Sequence, residues 1–199
     1  MELDEISVQH IQDTYEHTLT IPDAKPTHPY LVCPVGLVGA GKTTVMKPLS
    51  KKLGLVRISG DEVRHLLKER GFNWKRVYDI NSRLIQKYLS LGYAVGIDSD
   101  CSTHVETLKN MGSEVGAQIF WLHINPPEEF ILKKLEQYNH TWLFANAVIA
   151  IGNYAMNKKR NERNPVRVPY LYEFDTSKNN LEEQIDEAVR RIREQLRVP

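Results

Sequence analysis

The stretch Gly36-Leu37-Val38-Gly39-Ala40-Gly41-Lys42-Thr43-Thr44 constrains this chain more than any other segment. It satisfies the pattern G-x-x-x-x-G-K-[ST], with an apolar run suited to a strand before it and a helical pattern after it. Glycines in such a loop let the backbone curl so that successive N–H groups point at phosphate oxygens. The following helix aims the positive end of its dipole at the same place. Gly36, Gly39, Ala40, Gly41, Lys42, Thr43 and Thr44 therefore read as a cradle for nucleotide phosphates. Lys42 adds a cation for the β- and γ-phosphates, and Thr43 offers a hydroxyl ligand for Mg²⁺.

Around this loop short apolar runs alternate with longer helical patterns. Strands are expected at 31–36, 55–59, 93–98, 117–124 and 170–174, and helices at 42–53, 61–70, 79–91, 103–111, 128–138 and 181–196. Such alternation predicts an α/β fold whose parallel sheet is covered on both faces. At the start, Ile11, Tyr15 and Leu19 recur at fourfold spacing, which reads as an amphipathic helix over 2–19 packed on the main domain. Pro22, Pro26 and Pro29 then mark a linker. The expected division is an N-terminal helix and linker over 1–29 and a nucleotide-binding domain over 30–199, with a lid at about 133–169.

Composition narrows the function classes. With 26 basic and 25 acidic residues the formal charge is +1, so no global field draws the chain to nucleic acid or an anionic membrane. No apolar run reaches the roughly 18 residues that would suggest a membrane span. Met1 to Glu5 lacks the basic-then-apolar order of a secretory signal. Cys33 and Cys101 form no CxxC unit, which argues against a zinc ribbon or disulfide scaffold and for a reducing, cytoplasmic setting. The seven histidines show no HExxH spacing, and the sequon Asn139-His140-Thr141 has no secretory context.

Other residues sort the phosphate-loop classes. A GTPase needs Asn-Lys-x-Asp to read guanine; Asn157-Lys158-Lys159-Arg160 ends in the wrong charge. No second hallmark of an oligomeric AAA motor is evident. The second strand runs into Arg57-Ile58-Ser59-Gly60-Asp61-Glu62-Val63-Arg64. A carboxylate at a strand's carboxyl end sits in the crevice where α/β sheets bind ligands. Asp61 there fits a general base for an attacking hydroxyl, and Arg64, one turn on, fits an anion-holding group. Aspartate is also a preferred helix cap, and that reading stands beside the catalytic one.

The glycine-rich loop, the Asp-x-x-Arg of Asp61 and Arg64, and Gly92-Tyr93-Ala94-Val95-Gly96-Ile97-Asp98 together resemble the small P-loop kinases. The nearest group is the polynucleotide-kinase-like and zeta-toxin-like set of AAA-domain small kinases, with gluconate and shikimate kinases related. The resemblance covers about residues 30–197. It implies a three-layer fold with a five-stranded parallel sheet in the order 2-3-1-4-5 and a mobile helical lid after the fourth strand. It also implies ATP and Mg²⁺ as cofactors, with the γ-phosphate moving to a hydroxyl, Asp61 as base and Arg64 on the substrate. Asp98 would be the acid that orients the Mg²⁺ shell through water, and 174–178 the turn that meets the base.

Lid arginines neutralise transition-state charge in such enzymes. The places where related kinases carry them hold Lys134 and Gln137 here, so Arg160 and Arg163 are chosen instead, on a polar helix expected over 156–164. The same residues suit a solvated charged helix. The apolar stretch 142–151 fits a buried lid helix, a pocket wall or a contact between copies.

Three functions follow as expectations. The first is an ATP-dependent kinase of a small hydroxylated molecule. The second is a polynucleotide 5′-hydroxyl kinase, with Lys75, Arg76, Arg83 and Lys87 on phosphates and Trp74 as a stacking surface. The third is a nucleotide-binding regulator or toxin-like module acting through a partner.

Overall fold

A computed structural model describes residues 4–138 and 143–197. Five parallel strands form the sheet: β1 (Tyr30–Val35), β2 (Val56–Ser59), β3 (Val95–Asp98), β4 (Gln118–Ile124) and β5 (Tyr170–Phe174). Their order is β2-β3-β1-β4-β5, as the resemblance implied. Sequence alternation decides which side chains meet which helices. Leu31, Cys33 and Val35 of β1, Val56 and Ile58 of β2, and Val95 and Ile97 of β3 face one apolar cluster. Tyr30, Val32, Phe120, Leu122, Ile124 and Phe174 face the other.

The first face is covered by α1 (Glu5–Glu16), α3 (Gly60–Glu69), α4 (Val77–Ser90) and α5 (Val105–Glu114). The second is covered by α2 (Lys42–Leu53), α6 (Glu128–Glu136), α7 (Ala147–Arg163) and α8 (Leu181–Gln195). Close approach of α2 to the sheet depends on Gly96. A Cβ there would lie 2.9 Å from Ser50 Oγ and 3.0 Å from a Leu55 methyl. Gly54, left-handed at φ +63°, ends α2 where the sequence pattern stops.

The N-terminal segment forms the expected helix, and Val8, Ile11 and Tyr15 are buried against α3 and α4. Ile6, by contrast, points into solvent. The lid region departs from expectation. Its polar part and the second half of the apolar stretch, from Ala147 on, belong to one 17-residue helix, α7, rather than to separate pieces. Asn146 starts that helix by accepting from the Ile149 amide at 3.0 Å. Ala150 and Tyr154 pack inward while Val148, Ile149 and Met156 face out, so the apolar stretch is only partly a buried wall. Trp142 and the sequon at 139–141 lie outside the described residues. Among the described residues no helix is long and apolar enough to cross a membrane.

Candidate active site at the carboxyl edge of the sheet

The glycine-rich loop leaves β1 at Gly36, where a Cβ would stand 2.6 Å from the Ile124 carbonyl oxygen. Any larger residue would therefore push the loop off β4. Gly39 and Gly41 take left-handed conformations, at φ +82° and +96°. Gly41 is also the N-cap of α2 and brings no side chain to the first-turn amides. Those N–H groups point out as an anion receptor. Lys42 Nζ donates to the carbonyls of Gly36 at 2.8 Å and Leu37 at 2.9 Å. Burial pulls its ammonium below the usual lysine range, and Asp100, Asp61 and Asp98 oppose that shift. Three carboxylates and one lysine thus share a single field.

The Thr43 hydroxyl donates to Asp98 Oδ1 at 2.9 Å. Asp98 is 2% exposed, and burial raises its pKa while Thr43 and Arg57 pull it back. Its other oxygen accepts from Arg57 Nη1 at 2.6 Å. Arg57 also pairs with Glu62. No cluster of three or more acidic, histidine or cysteine side chains able to cage a metal exists among the described residues. A hydroxyl and a carboxylate side by side are hard oxygen donors of the kind Mg²⁺ takes when nucleotide phosphates supply its remaining ligands. The residues present therefore fit Mg²⁺ as a nucleotide complex.

Ser59, not Asp61, caps α3: its hydroxyl accepts from the Glu62 amide at 3.4 Å. The capping role for Asp61 is thereby taken by another residue. Asp61 lies in the first turn of α3 and accepts from Arg64 Nη1 at 2.5 Å. Behind them Gly60 N donates to Ser99 Oγ at 3.0 Å, and a Cβ on Gly60 would collide with that oxygen. Asp61, Arg64, Ser99 and Asn81 thus converge at the carboxyl ends of β2 and β3. Tyr78 stacks on His104, with ring centroids 4.1 Å apart.

Asp100 ties the loop to α7. Its Oδ1 accepts from Gly36 N at 3.3 Å, and its Oδ2 accepts from Ser102 Oγ at 2.5 Å and from Arg160 Nη2 at 3.4 Å. Arg160 therefore reaches the site, whereas Arg163 is exposed and makes no ion pair among the described residues. Lys158 bonds both Glu128 oxygens at 2.7 Å and anchors α7 to α6. Partial burial lowers the Lys134 pKa. A cleft of about 290 Å³ opens among Gly36, Leu37, His123, Asn125, Lys158 and Asn161, beside α7. The turn after β5 also meets the loop: Thr176 Oγ1 donates to the Ala40 carbonyl at 2.7 Å.

Basic residues at the start of and along α4 are paired with acids of α1. Glu5 of α1 pairs with Arg76 and with Arg83, and Glu16 pairs with Lys87 at 2.5 Å. Tyr88 OH also donates to Glu16 at 2.8 Å. Trp74 remains 41% exposed. A shallow groove of about 520 Å³ between α4 and α5 lies on this side, away from the glycine-rich loop.

The sequence assigns no site role to Arg57, Glu62 or Tyr15, whereas Thr176 belongs to the turn expected over 174–178. Arg57 carried one signal, a charge inside a four-residue strand whose other positions are buried. The spacing of Tyr15 marks its ring as core, and its hydroxyl is the informative part.

The fold recurs in solved kinases and in a toxin–antitoxin system. A putative kinase from Chloroflexus aurantiacus is 14% identical, with a TM-score of 0.62 over 84% of this chain and 98% of that one. The PezAT toxin–antitoxin structure from Streptococcus pneumoniae is 18% identical, with a TM-score of 0.59 over 98% of each chain. APS kinase from Mycobacterium tuberculosis, solved with AMPPNP and APS, is 17% identical, with a TM-score of 0.54 over 84% and 99%. No curated protein matches the chain in sequence. The family model described as AAA domain matches residues 31–143, from the first strand through the glycine-rich loop, Asp61, Arg64 and Asp98 to the lid. That match takes in more than half of the sequence, and the chain belongs to the AAA domain family.

Proposed function

We propose that this protein is an ATP- and Mg²⁺-dependent phosphotransferase that moves the γ-phosphate to the hydroxyl of a small molecule. The observation that carries the proposal is the placing of Lys42, the Thr43–Asp98 pair and the Asp61–Arg64 pair within one electrostatic neighbourhood at the carboxyl edge of one sheet. Residues 36–44 hold the phosphates through backbone N–H groups, and Lys42 leaves its loop carbonyls for the β- and γ-oxygens. The acceptor hydroxyl lies between Asp61 and Arg64. Its oxygen attacks the γ-phosphorus, its proton passes to Asp61, and the bond to the β–γ bridging oxygen breaks to release ADP. Thr43 and Asp98 would hold Mg²⁺ with the nucleotide, and the ion would offset charge on the phosphate oxygens. Arg160, on the lid, faces the same charge, and closure of α7 excludes water that would compete for the phosphate.

The structurally similar APS kinase, gluconokinase and shikimate kinase support an acceptor of small size. The Glu5 and Glu16 pairs on α4 count against an oligonucleotide acceptor at that face. A toxin-like or regulatory role draws support from the PezAT likeness, which extends over nearly the whole chain, the N-terminal helix included.

An ATP-consumption screen over sugars, nucleosides, amino-alcohols and short oligonucleotides tests the reading, with Lys42→Ala as the blank. One acceptor that yields ADP and a phosphate monoester in equal amounts is the expected result. Nucleotide-dependent assembly with no phosphorylated product from any acceptor would select the regulatory role instead.

A further inference from the structure

The helix α1 lies outside the family match, yet it reaches the nucleotide site through one side chain. Tyr15 is 2% exposed. Its hydroxyl accepts from the Ser59 amide at 2.7 Å and donates to Glu62 Oε2 at 3.4 Å. Ser59 is the last residue of β2, an edge strand, and pairs in register with Asp98 of β3. Tyr15 thus satisfies a backbone donor at the strand end where β2 turns into α3. The same turn places Glu62, which with Asp98 grips the guanidinium of Arg57. Only one oxygen of Asp98 is thereby left for Thr43.

We propose that α1 is a working part of the metal–nucleotide site: Tyr15 pins the β2–α3 turn so that Arg57 stays locked on Asp98, and Arg57 is a positioning residue for the carboxylate that faces Thr43. This rests on the reading of Thr43 and Asp98 as the Mg²⁺ side of the nucleotide site. The physical reasoning is electrostatic and geometric. A carboxylate buried to this degree needs a cation to remain charged, and a forked donor on one oxygen fixes where the other points. Glu62 in turn fixes the fork, and Tyr15 fixes the backbone from which Glu62 departs. Loss of the hydroxyl frees the turn without emptying the core, because the ring of a phenylalanine fills the same space.

The test measures binding rather than turnover. A fluorescent, non-hydrolysable ATP analogue is titrated into the full chain in EDTA, and the Mg²⁺ concentration that gives half of the magnesium-dependent gain is then determined. Arg57→Gln should raise that concentration by about tenfold and Tyr15→Phe by about threefold, as loss of charge-assisted and neutral hydrogen bonds implies. Affinity in EDTA should be unchanged in both. Arg57→Lys should recover most of the loss. Ile11→Val, a trimming of the same helix with no polar change, should lower the melting temperature and leave the magnesium midpoint alone. An unaltered midpoint in Arg57→Gln, beside a clear shift in Thr43→Ala, overturns the proposal and spares the site. An equal shift in Ile11→Val also overturns it, since generic loosening of α1 would then suffice. Absence of any magnesium-dependent gain in the unaltered protein overturns the reading of the site, and the proposal with it.

Discussion

Asp61 and Arg64 are bonded to each other, carboxylate to guanidinium, at 2.5 Å. The two groups assigned to the acceptor therefore satisfy one another before any acceptor arrives. A substrate must part them, offering a hydroxyl to one and a lone pair or negative charge to the other. Asp61→Asn keeps the shape and the bond-accepting oxygen but cannot take a proton. Turnover should fall by about 100-fold or more, with nucleotide affinity retained. Steady-state kinetics with the acceptor found by the screen, alongside nucleotide titration, checks both halves; full activity would remove Asp61 from the role of base.

Lys42 sets function against stability. Burial disfavours its charge, and among the described residues its ammonium is held by the Gly36 and Leu37 carbonyls and the field of the nearby carboxylates. Lys42→Met should abolish phosphotransfer, yet leave the melting temperature of the nucleotide-free protein equal or higher. It should also erase the rise in melting temperature that ATP gives the unaltered chain. Differential scanning fluorimetry with and without MgATP reads all of this. A large destabilisation without nucleotide would show that the lysine holds the loop together.

Arg160 and Arg163 of α7 should separate. Arg160 touches Asp100 and comes within 3.5 Å of Ser102 Oγ, while Arg163 is exposed at the end of α7. Arg160→Ala should reduce kcat by about tenfold or more, with Arg163→Ala within about twofold of the unaltered enzyme. The reverse order in a kinetic comparison would mean that closure turns α7 enough to exchange their places.

His104 gives the native state a pH dependence of known sign. Burial lowers its pKa below the ordinary imidazole value of 6.5, with Asp100 acting in the opposite direction. The unfolded chain therefore binds this proton more readily. Its contribution to stability is complete above pH 6.5 and is lost as the pH falls from there through the lower, native value. His104→Phe preserves a ring against Tyr78 and should flatten that part of the profile. Urea unfolding at a series of pH values measures it; an unchanged slope would show that another group titrates there.

Much of this architecture could be read before any coordinates, because its signals are local. The bounds of α2 follow from a loop of glycines at one end and Gly54 at the other, and both are as expected. The β5 strand is likewise found at 170–174. The strand order came from resemblance, since alternation alone names the strands but not their neighbours. Arg57 and Tyr15 were illegible for a different reason. Their partners stand 41 and 44 positions away, and only the pairing of Ser59 with Asp98 brings those segments together. The extent of α7 was hidden because its apolar residues face both inward and outward, which blurs helical periodicity.

The acidic helix α1 has a consequence for how the protein is handled. Residues 1–29 hold six acidic side chains and a single lysine, so the other 170 residues carry a formal +6 against +1 for the whole chain. Trimming the chain to the stretch that resembles its relatives would strip the counter-charges from Arg76, Arg83 and Lys87 and bare the apolar surface under Val8, Ile11 and Tyr15. Such a fragment would gather RNA and anionic resin during purification, and nucleic-acid affinity measured on it would describe the cut rather than the protein.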